Sequence, residues 1–440
     1  MTAPRWPDRP RHVQALIESA LQAVDPSAAV RRQLRLETDR LVAGEQAVGL
    51  APEAKIYLAG AGKAGVPMGR AAAEILGDRL AGGVMAVPQA PADGDRRIEW
   101  IEAGHPLPNE GSIRAGKAIE ALLGQAQAAD VVLALISGGG SALLELPVGQ
   151  VTLADLQTTN QLLLRSGANI EQINLVRQRL SRIKGGGLAR MAGPATVVSL
   201  ILSDVVGNPL DKIASGPTVP GRHSREDAQA VLDQLELTGE LPATVRAQLD
   251  LASAQPPTEA RGWQVLIGDN RLAAEAAAER ARSLGFQTAV LTNQLEGEAA
   301  YVGYLVAALA KSVQRHADPV PAPACLILGG ETTVTVRGDG LGGRNQELAL
   351  AAAIGLDGWP NLAVATLATD GVDGPTPAAG AVVSGDTVAQ AHELGLDPEA
   401  ALQTNDSHTL LHAIGADLLL GPTGTNVNDL IFVLVYPTGD

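Results

Sequence analysis

The sequence predicts an α/β protein of two domains, each a sheet covered by helices. Three observations carry that prediction. Apolar, β-rich runs alternate along the chain with amphipathic stretches, the pattern of strands joined by crossover helices. The 49 glycines gather in short loops directly after those runs, not in a low-complexity tract. A length of 440 residues leaves room for about two or three domains.

In chain order, residues 11–43 read as helical, with Leu16, Ala20, Leu21 and Val24 on one face. Residues 55–59 form the first strand, followed by a glycine loop and a helix over 66–76. A strand at 83–88, a helix at 112–123 and a strongly apolar strand at 130–136 come next, then helices at 153–164 and 170–183 and a strand at 195–202. Pro242, Pro256 and Pro257 interrupt the pattern, which sets the domains at 1–250 and 251–440. Beyond them lie a strand at 264–268, a helix at 271–284 and strands at 288–292 and 325–329. Residues 332–336 read as an antiparallel strand entering a loop, before a helix at 345–354 and strands at 363–369 and 430–436. The N-terminal sheet is expected to be mostly parallel.

Charge narrows the partners. A net charge of −15 argues against nucleic acid and anionic membrane surfaces, which need a basic footprint. Aromatic residues are only 2% of the chain, so the cores must be built from Ala, Leu, Val and Ile. The one cysteine, Cys325, excludes an intrachain disulfide; set among Ala324, Leu326 and Ile327, it reads as a buried strand residue. No stretch has transmembrane length, and residues 1–11 carry prolines and charges where a leader would be apolar. A cytoplasmic location is expected.

The loops after the strands are where an open α/β sheet binds ligands. Gly60, Gly62 and Gly65 give G-x-G-x-x-G spacing, but Lys63 inside it puts a mobile cation where phosphate oxygens would sit. A dinucleotide site would want an acidic residue at the end of the next strand, and the nearest, Asp78, precedes that strand. Ser137, Gly138, Gly139, Gly140 and Ser141 form a second anion loop or, more plainly, a tight turn with a capping serine. Arg177, Arg179, Arg182 and Lys184 fall within eight residues, a solvated basic face or a phosphate- or carboxylate-binding patch. Asp204 and Asn208 could hold Mg²⁺, orient a substrate hydroxyl, or simply make a turn.

In the second half, Glu331 follows an apolar strand, and Arg344 and Asn345 open a helix after Gly340, Gly342 and Gly343. A cation at a helix N-terminus opposes the macrodipole unless an anion lies between them. Asp370 and Asp373 are candidate metal ligands or turn residues, as are the carboxylate and amides of 424–429. The seven histidines form no zinc pattern, and His105, in a specialised loop, reads as structural when taken alone.

Together, segments 60–65, 105–111, 137–141, 174–188, 203–217, 329–332, 340–348, 369–374 and 425–429 resemble the glycerate 2-kinase family, whose C-terminal half is called the MOFRL domain. The resemblance runs in family order from about residue 10 to the C-terminus. It implies a Rossmann-like N-terminal domain, a MOFRL-type C-terminal domain and an active site in the cleft between them. It implies ATP-dependent phosphorylation of D-glycerate to 2-phosphoglycerate with Mg²⁺, and a loop lysine and a C-terminal arginine that match Lys63 and Arg344. With those residues in mind, Gly62, residues 137–141, Lys184, Asn208, Glu331 and Asn345 become the expected substrate or phosphate contacts, Asp204 a catalytic residue, and Asp370 and Asp373 metal ligands. The expected partners are small molecules, with the chain a monomer or homodimer. The alternative is an NAD(P)H-dependent hydroxypyruvate reductase.

Overall fold

The computed structural model describes residues 4–221, 225–251 and 261–438; Pro256 and Pro257 of the expected boundary lie outside them, as do residues 1–3 of the N-terminal segment. The chain forms two compact units, one of Pro26–Ile267 and one that joins Met1–Asp25 to Gly268–Asp440. This differs from a division into contiguous stretches 1–250 and 251–440, for two reasons. The helix Arg9–Ala23 buries Val13, Leu16, Ile17 and Ala20 within the second unit, against the helix Asn270–Ser283, while His12 stacks on Tyr436. The strand Gly262–Gly268, for its part, completes the sheet of the first.

That first sheet has the spatial order Ile98–Glu102, Leu80–Val87, Ile56–Ala61, Val131–Ile136, Thr196–Leu202, Gly262–Gly268, with its first five strands parallel. Numbered along the chain these strands lie 3-2-1-4-5-6, so the order reverses between Ile56–Ala61 and Val131–Ile136. Both of those strands are buried along their whole length, as expected of a sheet covered on both faces. Four helices, Leu153–Arg165, Ile170–Leu180, Arg225–Gln234 and Ala243–Asp250, build a separate apolar core around Leu163, Val176, Leu232 and Val245. The helix expected to reach residue 183 stops at Leu180, so Arg182 and Lys184 are not on it.

Helix is expected over 11–43 but ends at Gln33. Leu34–Leu36, Arg40–Ala43 and Gln46–Gly49 instead form a small antiparallel sheet, in which the alternating Leu34, Arg35 and Leu36 pair with residues 41–43.

The second unit holds a mixed six-stranded sheet in the order Gln287–Leu295, Ala324–Gly330, Asp429–Val435, Leu362–Ala368, Gly380–Ser384, Asp417–Leu418. Helices Ala299–His316 and Arg344–Leu356 cover the face carrying Leu326, Leu328 and Val433. Residues 332–336 do not form the expected strand. Thr333 makes one bridge to Glu298, and Thr335 donates its N–H and hydroxyl to the Glu298 carboxylate, so the donors that would form a ladder go to a side chain. Cys325 is fully buried, and burial pushes its thiol up to about 12, far from nucleophilic. Among the described residues no helix is long and apolar enough to cross a membrane.

Candidate functional site

The reversal in strand order puts two expected loops side by side. Gly62 and Lys63 leave the end of Ile56–Ala61, and residues 137–141 leave the end of Val131–Ile136, at the position where open α/β sheets bind ligands. Gly62 sits at φ +144°, and a Cβ there would run into Ser137 Oγ. Lys63 N–H donates to the Gly138 carbonyl at 2.8 Å, and Ala64 N–H to Ser137 Oγ at 3.1 Å. The two loops are thus tied by their own backbone. The helix Gly65–Leu76 begins just after, so the positive end of its dipole adds to the lysine's charge.

Asp204, from the end of the neighbouring strand Thr196–Leu202, lays its carboxylate against Gly138, in the space a Cβ would fill. Gly139 faces the His105 ring and the Lys63 stem: a Cβ would lie 2.9 Å from His105 Cδ2 and 3.3 Å from Lys63 Cγ. Burial and then the Lys63 charge hold the His105 imidazole below its ordinary pKa, so it is neutral at pH 7. His105 therefore belongs to the site, which its loop signalled but its lone position did not.

Beside Gly139 and Ser141 opens a cavity of about 160 Å³, reaching His105, Asn160 and Arg177. Lys184 also lines it, but its ammonium forms a buried ion pair with Glu145, leaving 1% of the side chain exposed. Burial lowers the Lys184 pKa, and Glu145 pulls it back. The expectation that Lys184 directly contacts substrate gives way to an internal pair. Asn208 occupies a left-handed turn after Gly207, with φ +54°, and its N–H donates to the Val205 carbonyl.

In the second unit, the expected residues Glu331, Arg344 and Asn345 are brought together with Asp429, the carboxylate of 424–429, which the sequence offered as a metal ligand or turn residue and not as a partner of Arg344. Arg344 makes a two-point ion pair with Asp429 (Nε to Oδ2 2.6 Å, Nη2 to Oδ1 3.1 Å) and donates from Nη1 to Glu331 Oε1 at 2.7 Å. Glu331 Oε2 accepts from Asn428 Nδ2 at 2.8 Å. Burial opposes the arginine's charge, but Asp429 and then Glu331 outweigh it and raise its pKa. Burial pushes Asp429 up to about 6, against the pull of Arg344. The anion expected to reconcile Arg344 with its helix end is thus supplied by the protein's own carboxylates.

Asp373 is likewise spent. Its carboxylate accepts from Asn345 N–H at 3.1 Å, from Gln346 N–H at 2.9 Å and from Gln346 Nε2 at 3.0 Å, capping the helix Arg344–Leu356. Asp370 Oδ1 accepts from Val372 N–H at 3.2 Å. Among the described residues no group of three or more His, Cys, Asp or Glu is placed to hold a metal ion. Asp373 is accordingly a cap in this structure and not the expected metal ligand. A nucleotide-bound Mg²⁺ asks less of the protein, one or two carboxylates beside substrate phosphates, and Asp204 next to the 137–141 loop fits that demand.

Residues 12–250 match a family described as a domain of unknown function (DUF4147), and residues 324–429 match the MOFRL family. The chain is 41% identical to a D-glycerate 2-kinase of Thermotoga maritima, over 96% of this chain and 97% of that one. A crystal structure of glycerate kinase from the same organism superposes with a TM-score of 0.87 at 39% identity, covering 97% of this chain and 99% of that one. An Agrobacterium vitis protein provisionally named a hydroxypyruvate reductase is 39% identical, over 96% of this chain and 94% of that one.

Proposed function

The chain belongs to the glycerate 2-kinase family, and from that premise we propose that it transfers the γ-phosphoryl group of ATP to the C2 hydroxyl of D-glycerate, giving 2-phosphoglycerate. One observation carries the reading: Lys63 stands at the strand-order reversal, on a loop tied to the glycine-rich 137–141 loop. Phosphoryl transfer asks a protein mainly for positioned charge and exclusion of water. Lys63 stabilises charge on the transferring group, and the backbone around Gly62 and Gly138–Gly140 approaches the phosphates closely. Asp204 would accept the hydroxyl proton or hold Mg²⁺, which when bound neutralises phosphate charge. Within the second unit Arg344 is oriented by Glu331 and Asp429 with a third of its side chain exposed, and we expect it to act on developing charge.

The reductase reading is disfavoured by the first unit itself. No acidic residue ends Leu80–Val87, where a dinucleotide ribose would be held; Asp93 and Asp95 come later and pair with Arg70 and Arg97, and Asp78 lies in the turn before the strand. We expect ADP formation that depends on D-glycerate, a product phosphorylated at C2 by NMR, and no NADH consumption with hydroxypyruvate. Lys63→Ala and Arg344→Ala should each lower kcat by roughly 10² or more, the scale of removing a transition-state donor. Near wild-type turnover in both variants would sink the assignment. A cytoplasmic location and a monomeric or homodimeric state belong to the same proposal, to be read by cell fractionation and light scattering.

A further inference from the structure

We infer that the cavity beside Gly139 is the carboxylate pocket for the three-carbon substrate, and that the Arg177 guanidinium is the group that binds the carboxylate. This rests on the kinase reading for the identity of the acid, and on the cavity for its place.

Charge carries the argument. The groups lining the pocket include two cations, Arg177 and Lys184, and one carboxylate, Glu145. That carboxylate is consumed: Oε2 takes the Lys184 ammonium and Oε1 accepts the Leu146 N–H at 2.9 Å. Arg177 is left with a neutral partner, its Nε donating to Asn160 Oδ1 at 2.7 Å, and no hydrogen bond engages its terminal nitrogens among the described residues. His105 brings no negative charge. Glu145 lies near enough to act on Arg177 as well as Lys184, but one carboxylate against two cations leaves an excess positive charge, and a largely buried guanidinium with no carboxylate bonded to it favours the arrival of an anion. The two free nitrogens form the planar fork that matches a carboxylate.

Size and polarity agree. The cavity holds about 160 Å³. It suits a three-carbon acid and falls below the roughly 300–1,000 Å³ of a pocket for a drug-sized ligand such as a nucleoside. Elsewhere in the lining, Ser141 is bonded to Ser215, which donates to Asn174 Oδ1 at 3.0 Å, so its oxygen accepts the Ser141 proton across 2.8 Å. Ser141 then offers lone pairs to the cavity and can accept from a substrate hydroxyl. Ser215 is held for this in a left-handed conformation, φ +62°, its carbonyl accepting from Gly185 N–H at 3.0 Å.

The test compares wild type with Arg177→Met, following D-glycerate and its uncharged methyl ester by titration calorimetry and D-glycerate and ATP by ADP formation. Arg177→Met should weaken D-glycerate binding and raise its KM about 30- to 100-fold, the scale of a lost two-point charged contact, while the KM for ATP holds. Wild type should prefer the acid to the ester, and the variant should lose that preference. If Arg177→Met does not fold, Arg177→Lys, which keeps the charge without the fork, should show a partial loss of the same kind. Unchanged D-glycerate affinity in the folded variant, equal binding of acid and ester by wild type, or a shift in the KM for ATP instead would each overturn the assignment. Wild-type binding that depends on Arg177 without any ATP-dependent turnover would leave the pocket standing and remove the kinase reading; turnover without Arg177 dependence would do the reverse.

Discussion

Arg344 and Asp429 show how much a residue's meaning depends on what burial does to it. The carboxylate is held at about 6, above its usual value, because burial outweighs even the two-point arginine contact. A carboxylate whose pKa is raised on folding contributes stability that is present at low pH and lost as pH climbs through the folded value. Arg344→Met removes the contact that restrains this rise. We therefore expect the variant to melt close to wild type near about pH 5 and to fall behind by about 1–3 kcal/mol near pH 8, less than the roughly 3–5 of a fully buried pair because a third of Arg344 is exposed. A gap in melting temperature that stays constant with pH would contradict this. The loop that carries Lys63 was legible from sequence because its setting is local, a glycine turn directly after an apolar strand. Lys184 was not, since Glu145, 39 residues away, decides whether its charge faces a ligand or a partner. Nothing near Asp429 in the chain announces Arg344, 85 residues distant.

Elements followed the same division. Strands and helices with a strong apolar period were legible, including both central strands of the first sheet and the loops that leave them. The segment at 332–336 has the composition of a strand, yet Glu298 takes its donors. Asp373 sits in a turn-like sequence, and only tertiary approach makes it the cap of Arg344–Leu356. Asp373→Asn should cost about 0.5–2 kcal/mol in thermal unfolding, as lost caps do, with the Mg²⁺ dependence of kcat unchanged. A large rise in the Mg²⁺ requirement would restore the metal reading. At the other site, Gly62→Ala forces a Cβ onto Ser137 Oγ at φ +144° and must part the two loops. We expect a loss of about 1–3 kcal/mol by denaturant unfolding and a fall in kcat larger than that of Gly49→Ala, where an added Cβ meets nothing within 4 Å and the backbone is not left-handed.

Across the whole molecule, the strand order of the first unit was implied only as a mostly parallel sheet, because order is a matter of which helices cross over which strands. The mixed second sheet was beyond reach for a similar reason: Asp429–Val435, last in sequence, is inserted antiparallel between Ala324–Gly330 and Leu362–Ala368. The first helix was legible as a helix but not as a member of the distant unit, since its apolar face fits either. Leu16→Ala, at a fully buried position of that helix, should cost about 2–5 kcal/mol. Limited proteolysis of the variant should cut within 268–438 before 26–267; the opposite order of cleavage would place the helix wrongly.

The division at Asp25 and Ile267 also has a consequence for how the chain is made. The first helix leaves the ribosome before any of the strands it will rest against. At about 5–20 residues per second, it must wait on the order of tens of seconds while the whole of Pro26–Ile267 is synthesised. Through that interval Leu16 and Ile17 have no native surface to cover. The nascent chain therefore carries a sticky segment ahead of Pro26 that a holding chaperone could occupy, and the unit that finishes last is closed by residues translated before the whole of the other unit.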